Sequence, residues 1–186
     1  MKTAVGRALI SPEALQSRVS ALAEEIVASL PPSPADLTLV AVLSGSIIFL
    51  ADLMRRLPMK MRLGLVTVSS YRGRATQPGP PRFEATALPS VAGRDVLIVD
   101  DVLDTGGTLR LVQREVSTAG ARSVRTAVLL RKNTPAAREV AVDFVGFDIE
   151  DVFVVGYGLD YDGLYRNLPY IAELTREENT ALRPLG

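Results

Sequence analysis

The chain has 186 residues, 47% of them hydrophobic and 5% aromatic, a composition suited to one α/β domain with an aliphatic core. Its 21 basic and 21 acidic residues cancel, which leaves no electrostatic footprint for bulk nucleic acid or an anionic membrane. Cysteine and histidine are both absent, which excludes disulfides, thiolate and imidazole metal sites, Ser-His-Asp triads and imidazole acid–base catalysis.

Any chemistry therefore runs on carboxylates, lysine, arginine, tyrosine, hydroxyls and backbone groups, with an oxygen-loving cation such as Mg²⁺ as the compatible metal. No apolar run reaches membrane-spanning length and the N-terminus carries no signal-peptide pattern, so the expected location is the cytoplasm, without a membrane partner.

In chain order, Ser11-Pro12-Glu13 opens a helix with a capping hydroxyl, a proline at the first helical position and an acid in the first turn. Leu15, Val19, Leu22, Ile26 and Leu30 follow at helical spacing, and Pro31-Pro32 stops the run. "DLTLVAVL" (Asp36–Leu43) reads as a strand, Ser44-Gly45-Ser46 as a turn, and "IIFLADLMRRL" as an apolar helix. "LGLVTVSSY" (Leu63–Tyr71) is a second strand. The stretch "RGRATQPGPPRFEATALPSVAG" is rich in Gly, Pro and polar residues and long for a connector, the make-up of a lid.

"RDVLIVDD" is a third strand, followed by a helix from about Gly107 to Ala119 with Gly120 at its C-cap and Leu109, Val112 and Val116 facing inward. "SVRTAVLL", "VDFVGFDI" and "FVVGYGL" complete the strand candidates, and the tail is mostly polar. No internal repeat is visible. Strands alternating with helices predict a parallel sheet covered on both faces, with its ligand site beyond the carboxyl ends of the strands.

"VLIVDDVLDTGGTL" (Val96–Leu109) places three aspartates at such a place, where like charges are unfavourable unless something positive or hydrogen-bonding meets them. One reading is a solvated acidic loop with a turn. A second is the DDxxD magnesium–diphosphate motif, which needs a helix; β-branched Val96, Ile98 and Val99 before it and Gly106-Gly107 after it oppose one. A third is a receiver-domain acidic pair, which belongs near the start of a domain rather than a hundred residues in. The fourth fits best: Asp-Thr-Gly-Gly-Thr between strand and helix aims backbone N–H groups and two hydroxyls at one point, as a phosphate cradle does, while the acids before it accept from sugar hydroxyls. The turn lacks the Gly-Lys-Ser/Thr ending of the ATP loop, and Gly156-Tyr157-Gly158 lacks the third glycine of a dinucleotide fingerprint, Tyr161 standing there.

This stretch resembles the phosphoribosyl-pyrophosphate motif of type I phosphoribosyltransferases. With "VLSGSIIFLADLMRRL", "SSY", "LLRK" and "DFVGFDIEDVFVVGYGLDYDGLYRNLPYI", in family order and spacing from Val42 to Ile171, the chain is similar to hypoxanthine(-guanine) phosphoribosyltransferases. The resemblance implies a single α/β phosphoribosyltransferase domain over 1–186, with a parallel-rich sheet core over about 11–145, a mobile lid over about 69–84 and a small hood built mainly from 146–186. It implies transfer of phosphoribose from phosphoribosyl pyrophosphate to a 6-oxopurine with Mg²⁺, in a homodimer or homotetramer.

By the same resemblance Asp100 and Asp101 hold the ribose hydroxyls and contribute to the metal site, and Asp104 is the general acid–base at the purine imidazole nitrogen. Thr105, Gly106, Gly107 and Thr108 bind the 5′-phosphate. Ser44, Gly45 and Arg166 meet pyrophosphate. Lys132 contacts the purine oxo group, Phe153 stacks on the ring, Val154 pairs through its backbone, and Asp160 stands at both the base and Mg²⁺. Ser70 and Tyr71 lie on the lid.

Taken singly, Lys132 reads as a surface lysine, Phe153 and Val154 as core, Asp160 and Arg166 as a surface ion pair, and Ser70-Tyr71 as a strand end. Ser44-Gly45 stands where many members carry Lys-Gly, so a lysine charge is missing and Arg72 or Arg74 in the lid are candidates to replace it. Gly107 falls at a variable position of the phosphate loop, where its amide still donates. Two alternatives stay open: an RNA-binding pyrimidine-operon regulator on the same fold, and a xanthine-preferring enzyme.

Overall fold

The computed structural model describes residues 6–30, 37–69 and 82–174. A short strand β1 (Ala8–Ile10) leads into helix α1 (Pro12–Ser29). Ser11 caps that helix as the sequence predicts, its hydroxyl accepting the Ala14 N–H at 3.2 Å. Strand β2 (Leu37–Leu43) runs into helix α2 (Ile47–Met54), which is shorter than the predicted apolar stretch. The Arg56 and Leu57 amides bond to Leu53 and Met54 in tight final turns, because Pro58 disfavours helical backbone before it.

Strand β3 (Arg62–Ser69) is followed among the described residues by β4 (Arg82–Ala87), β5 (Asp95–Leu103) and helix α3 (Gly107–Thr118). Strand β6 (Ser123–Lys132), a one-turn helix α4 (Pro135–Arg138), β7 (Phe144–Ile149), β8 (Val154–Val155) and β9 (Ile171–Glu173) complete the chain.

The main sheet has the order β4-β3-β2-β5-β6-β7, parallel throughout except that β4 runs antiparallel to β3. Alternate residues of its strands bury to opposite faces. Leu39, Leu97, Val99 and Leu129 pack with Leu15, Leu22 and Ile26 of α1 and Phe49 and Leu53 of α2. Val40, Ile98 and Val128 pack with Leu109, Val112 and Val116 of α3, the three residues predicted to face inward. A second, antiparallel sheet of order β1-β9-β8 forms the hood.

Three boundaries differ from expectation. Arg82 to Ala87, read as connector with 82–84 inside the lid, form β4, because Phe83 and its neighbours satisfy the free edge of β3 in register with Val68. Strand β7 keeps the core sheet going to Ile149, so the hood starts later than residue 146, and it recruits β1 from the N-terminal end. "FVVGYGL" supplies only the two residues of β8, since Gly156, Tyr157 and Gly158 all have positive φ and turn the chain. Ser70, Tyr71, Arg72, Arg74 and the rest of the expected lid to residue 81 lie outside the described residues. Among the described residues no helix is long and apolar enough to cross a membrane.

Strand β2 has its sequence successor β3 on one side and β5 on the other. The order reverses there, and in such sheets the crevice beyond the carboxyl ends at the reversal receives the ligand. Ser44-Gly45 comes directly after β2, and Asp100 to Leu103 end β5, so both segments border that crevice.

Candidate active site

The turn after β5 ends with Gly106 in the left-handed region at φ 79°. A Cβ there would also come within 2.2 Å of Val140 Cγ2, so both backbone conformation and space require glycine. The first intrahelical bond of α3 is Arg110 N–H to Gly106 O, so the amides of Gly107, Thr108 and Leu109 emerge from the helix end without partners inside it. No acidic residue occupies the first turn, and the helix end favours an anion. Asp104 to Leu109, with Asp100, Val102 and Leu103, enclose a hollow of about 70 Å³. A Cβ on Gly107 would meet nothing within 4 Å, in keeping with a position tolerant of side chains.

Asp100 is buried and accepts the Asp101 N–H at 3.0 Å; Asp101 accepts the Val102 N–H at 2.7 Å. Burial first, and then the charge of Asp101, push the Asp100 carboxyl well above its usual range, and burial pushes Asp101 up as well. The pair thus favours protonation when nothing positive or hydrogen-bond-donating lies against it. Opposite Asp101 stands Gly45, where an added Cβ would fall 1.5 Å from Asp101 Oδ2. A second hollow of about 240 Å³, bounded by Gly45, Asp100, Asp101 and Thr108, opens between β2 and β5. The Leu43–Ser44 peptide is cis.

The third space is a cavity of about 290 Å³ whose wall includes Ser44, Gly45, Asp101, Asp104, Lys132, Phe153, Val154, Asp160 and Arg166. Lys132, the last residue of β6, donates to Asp104 Oδ2 at 3.0 Å and to Asp151 Oδ1 at 2.9 Å. Burial works against its charged form, but these two hydrogen bonds overcome it and raise its pKa above the usual value. Phe153 is exposed and meets Tyr161 edge-on, centroids 5.5 Å apart, while Val154 is buried in β8. Arg166 donates to Gly158 O at 2.6 Å and pairs with Asp160 Oδ1 at 2.7 Å; the other Asp160 oxygen accepts the Gly163 N–H.

Every predicted site residue within the described chain borders one of these three adjoining spaces, and Val102 borders all of them. Asp160 and Arg166 form the ion pair that a plain surface reading allows, yet both face the cavity. Ser70 and Tyr71 lie outside the described residues. Sequence reasoning missed Val102, Val152 and Leu159 on the walls of these spaces and Asp151 behind Lys132. Asp151 sits in the acidic turn "DIEDVF", where nothing marks it apart from a solvated acid; its proximity to Lys132 comes from the β6–β7 register, which pairs Lys132 with Ile149.

Among the described residues no three acidic side chains converge as a ready-made metal cage. The donor set nevertheless suits Mg²⁺, which usually takes one or two carboxylates and completes its shell with water and substrate oxygens.

Comparison with known proteins agrees with this geometry. The phosphoribosyl transferase domain family model matches residues 11–162. Hypoxanthine-guanine phosphoribosyltransferase of Mycobacterium avium is 42% identical over 170 residues, covering 89% of this chain and 84% of the relative. Its counterpart from Bacillus subtilis is 36% identical, with 94% and 96% covered. The crystal structure of a hypoxanthine phosphoribosyltransferase from Staphylococcus aureus superposes with a TM-score of 0.83 at 33% identity, covering 93% of each chain. A crevice at the sheet reversal, an anion cradle at α3 and this extent of likeness lead to one assignment: the chain belongs to the phosphoribosyltransferase family, among the hypoxanthine(-guanine) phosphoribosyltransferases.

Proposed function

We propose that the chain transfers the 5-phosphoribosyl group of phosphoribosyl pyrophosphate to hypoxanthine, and also to guanine, yielding nucleotide and pyrophosphate in purine salvage. The observation that carries this is the sequence of spaces around Val102: an anion cradle, a carboxylate pair, and a cavity holding an ammonium and an aromatic face. They match phosphate, ribose and base in the order a nucleotide presents them.

In this reading the amides and hydroxyls of Thr105 to Thr108 hold the 5′-phosphate. Asp100 and Asp101 accept from the ribose hydroxyls, which replaces their mutual repulsion with donors. The base lies against Phe153 with its oxo group toward Lys132, and Asp104 takes the proton from the attacking imidazole nitrogen. Positive charge develops at C1′ as pyrophosphate leaves past Ser44, Gly45 and Arg166, and the carboxylates of Asp100 and Asp101, bound to the same ribose, stabilise it. Asp100, Asp101 and Asp160 are the residues that would hold Mg²⁺. Bound there, the ion supplies charge neutralisation for the leaving group. No covalent enzyme intermediate is needed, in keeping with a chain that has neither cysteine nor histidine.

A cytoplasmic enzyme assembled as a homodimer or homotetramer is part of the same proposal. Product formation from phosphoribosyl pyrophosphate with hypoxanthine, guanine, xanthine, adenine and uracil, with Mg²⁺ or with chelator, tests it. Hypoxanthine and guanine are expected to react and chelator to stop the reaction. Xanthine as the best substrate would shift the specificity; adenine or uracil as the best would overturn the base-site reading. Filter binding to pyrimidine-operon leader RNA is expected to give none, in line with zero net charge.

A further inference from the structure

Asp151 stands behind Lys132, which lines the cavity, and the proposed reaction gives it no part. Its Oδ1 lies 2.9 Å from Lys132 Nζ, and Asp104 Oδ2 lies 3.0 Å from the same nitrogen on another segment. The lysine side chain is 13% exposed, against 61% for Asp151 and 51% for Asp104. Only three of the 21 basic residues are lysine, at positions 2, 60 and 132, so the chain uses arginine nearly everywhere else.

An ammonium has three N–H donors and accepts nothing. Asp104 and Asp151 take two of them, and the third remains for a ligand in the cavity that Lys132 lines. Asp104 loses its negative charge when it receives a proton from the base, and its hold on the ammonium weakens. An ammonium tied to Asp104 alone would then be free to swing out to water. Asp151 holds it independently, because Asp151 arrives from the end of β7, where Asn133 N–H bonds to Ile149 O at 2.8 Å and Val152 N–H to Glu150 O at 2.8 Å. These bonds fix the turn that carries Asp151 beside the end of β6.

We infer that Asp151 is a positioning and specificity-determining residue: it anchors the Lys132 ammonium so that one N–H stays directed at the oxo group of the purine while Asp104 exchanges protons. This rests on the reading of the cavity as a 6-oxopurine site. Asp151 touches neither base nor sugar; it acts through Lys132. An arginine at 132 would not serve equally, since its flat fork presents donors in one plane rather than three around a point.

Asp151→Asn tests it, at an exposed position where the fold tolerates the change. The base KM is expected to rise about three- to tenfold, the scale of losing one charge-assisted hydrogen bond at a half-exposed pair. The KM for phosphoribosyl pyrophosphate should stay within about twofold, and the kcat/KM ratio of hypoxanthine over adenine should fall. Asp151→Glu should restore part of both. With three lysines, ¹⁵N-lysine labelling resolves the Lys132 ammonium, and its proton exchange should quicken in Asp151→Asn protein without any substrate present. Unchanged base KM and unchanged ammonium exchange would overturn the inference, as would equal losses in both substrates' KM. Lys132→Ala separates the two levels. If that variant leaves base KM unaltered, the base-site reading itself fails; if it raises base KM while Asp151→Asn does not, only the role of Asp151 falls.

Discussion

The Tyr157 hydroxyl donates to Asp52 Oδ2 at 2.5 Å, joining the hood to α2 across 105 residues of sequence. Gln16 of α1 donates to the same oxygen at 2.9 Å, and Arg55 pairs with Asp52 Oδ1. Burial raises the Asp52 pKa, but the hydrogen bonds from Tyr157, Gln16 and Arg55 outweigh it and the carboxyl ends below its usual value. The bond also has a place in the site: the next residue, Gly158, has φ 101° and lies so close to Gly45 O that a Cβ would approach it to 2.2 Å. Tyr157 therefore sets how the hood seats on the turn after β2.

Removing the hydroxyl in Tyr157→Phe leaves Asp52 short of a donor and is expected to cost about 1–2 kcal/mol, read as a lowered denaturation midpoint. Because the folded Asp52 pKa lies below the unfolded one, its contribution is present above about pH 4 and is lost as pH falls through the folded value. The gap between wild type and variant should narrow in strong acid. An equal gap at every pH would show that the loss is packing and not the charged hydrogen bond.

Gly45 faces Asp101 with no room for a methyl group. The obstructing atoms are mainly the carboxylate end of a side chain rather than backbone, so Gly45→Ala should let the protein fold with Asp101 turned aside. The expected result is a denaturation midpoint close to wild type with KM for phosphoribosyl pyrophosphate raised about tenfold or more, the scale of losing a charged hydrogen-bond partner to a ribose hydroxyl. A wild-type KM would mean that the Asp101 carboxylate does not bind that substrate.

Asp100 and Asp101 set stability against function. In the ligand-free, metal-free protein the folded Asp100 pKa stands above its unfolded value. Between the two, the folded state holds a proton that the unfolded state has released, so stability declines as pH rises from about 4. Asp100→Asn removes that decline and still accepts the Asp101 N–H. The variant is expected to be more stable than wild type at neutral pH, with an advantage that shrinks toward pH 4. It should also fail to gain stability on adding phosphoribosyl pyrophosphate. Denaturation midpoints from pH 4 to 8, with and without that substrate, check both halves.

Much of this arrangement is legible in the sequence because it is local. The cap at Ser11, the inward stripe of Leu109, Val112 and Val116, and the Asp-Thr-Gly-Gly-Thr turn each depend on neighbours a few residues away. The parts that escape notice depend on distant partners. β1 and β9 are three residues each and gain their character only by pairing, β1 with β9 and β9 also with β8. β4 looks like connector until the free edge of β3 is supplied. Asp151 looks like any solvated acid, because the β6–β7 register that brings it to Lys132 has no trace in its own segment. Taken singly, Asp160 and Arg166 read as an ion pair, and they are one, placed where a ligand also reaches them.

Asp104 offers the sharpest test of the chemistry. It stands on the turn just before the phosphate cradle, half-exposed, with its carbonyl accepting from the Thr134 hydroxyl at 3.4 Å and its carboxylate from Lys132. Asp104→Asn keeps the size of the side chain and an oxygen for Lys132 and removes the negative charge, and with it the ability to take a proton. Geometry and ground-state contacts are thereby held, so the KM values for both substrates should change by less than about threefold while the single-turnover rate falls about 10²- to 10⁴-fold, the range of a positioned general base. Hypoxanthine and guanine should suffer alike, since both lose their proton from the same ring. A single-turnover rate near wild type would remove Asp104 from the acid–base role. A rise confined to the base KM, with that rate unchanged, would assign it instead to holding Lys132, the task that its 3.0 Å contact with the ammonium already performs in the free protein.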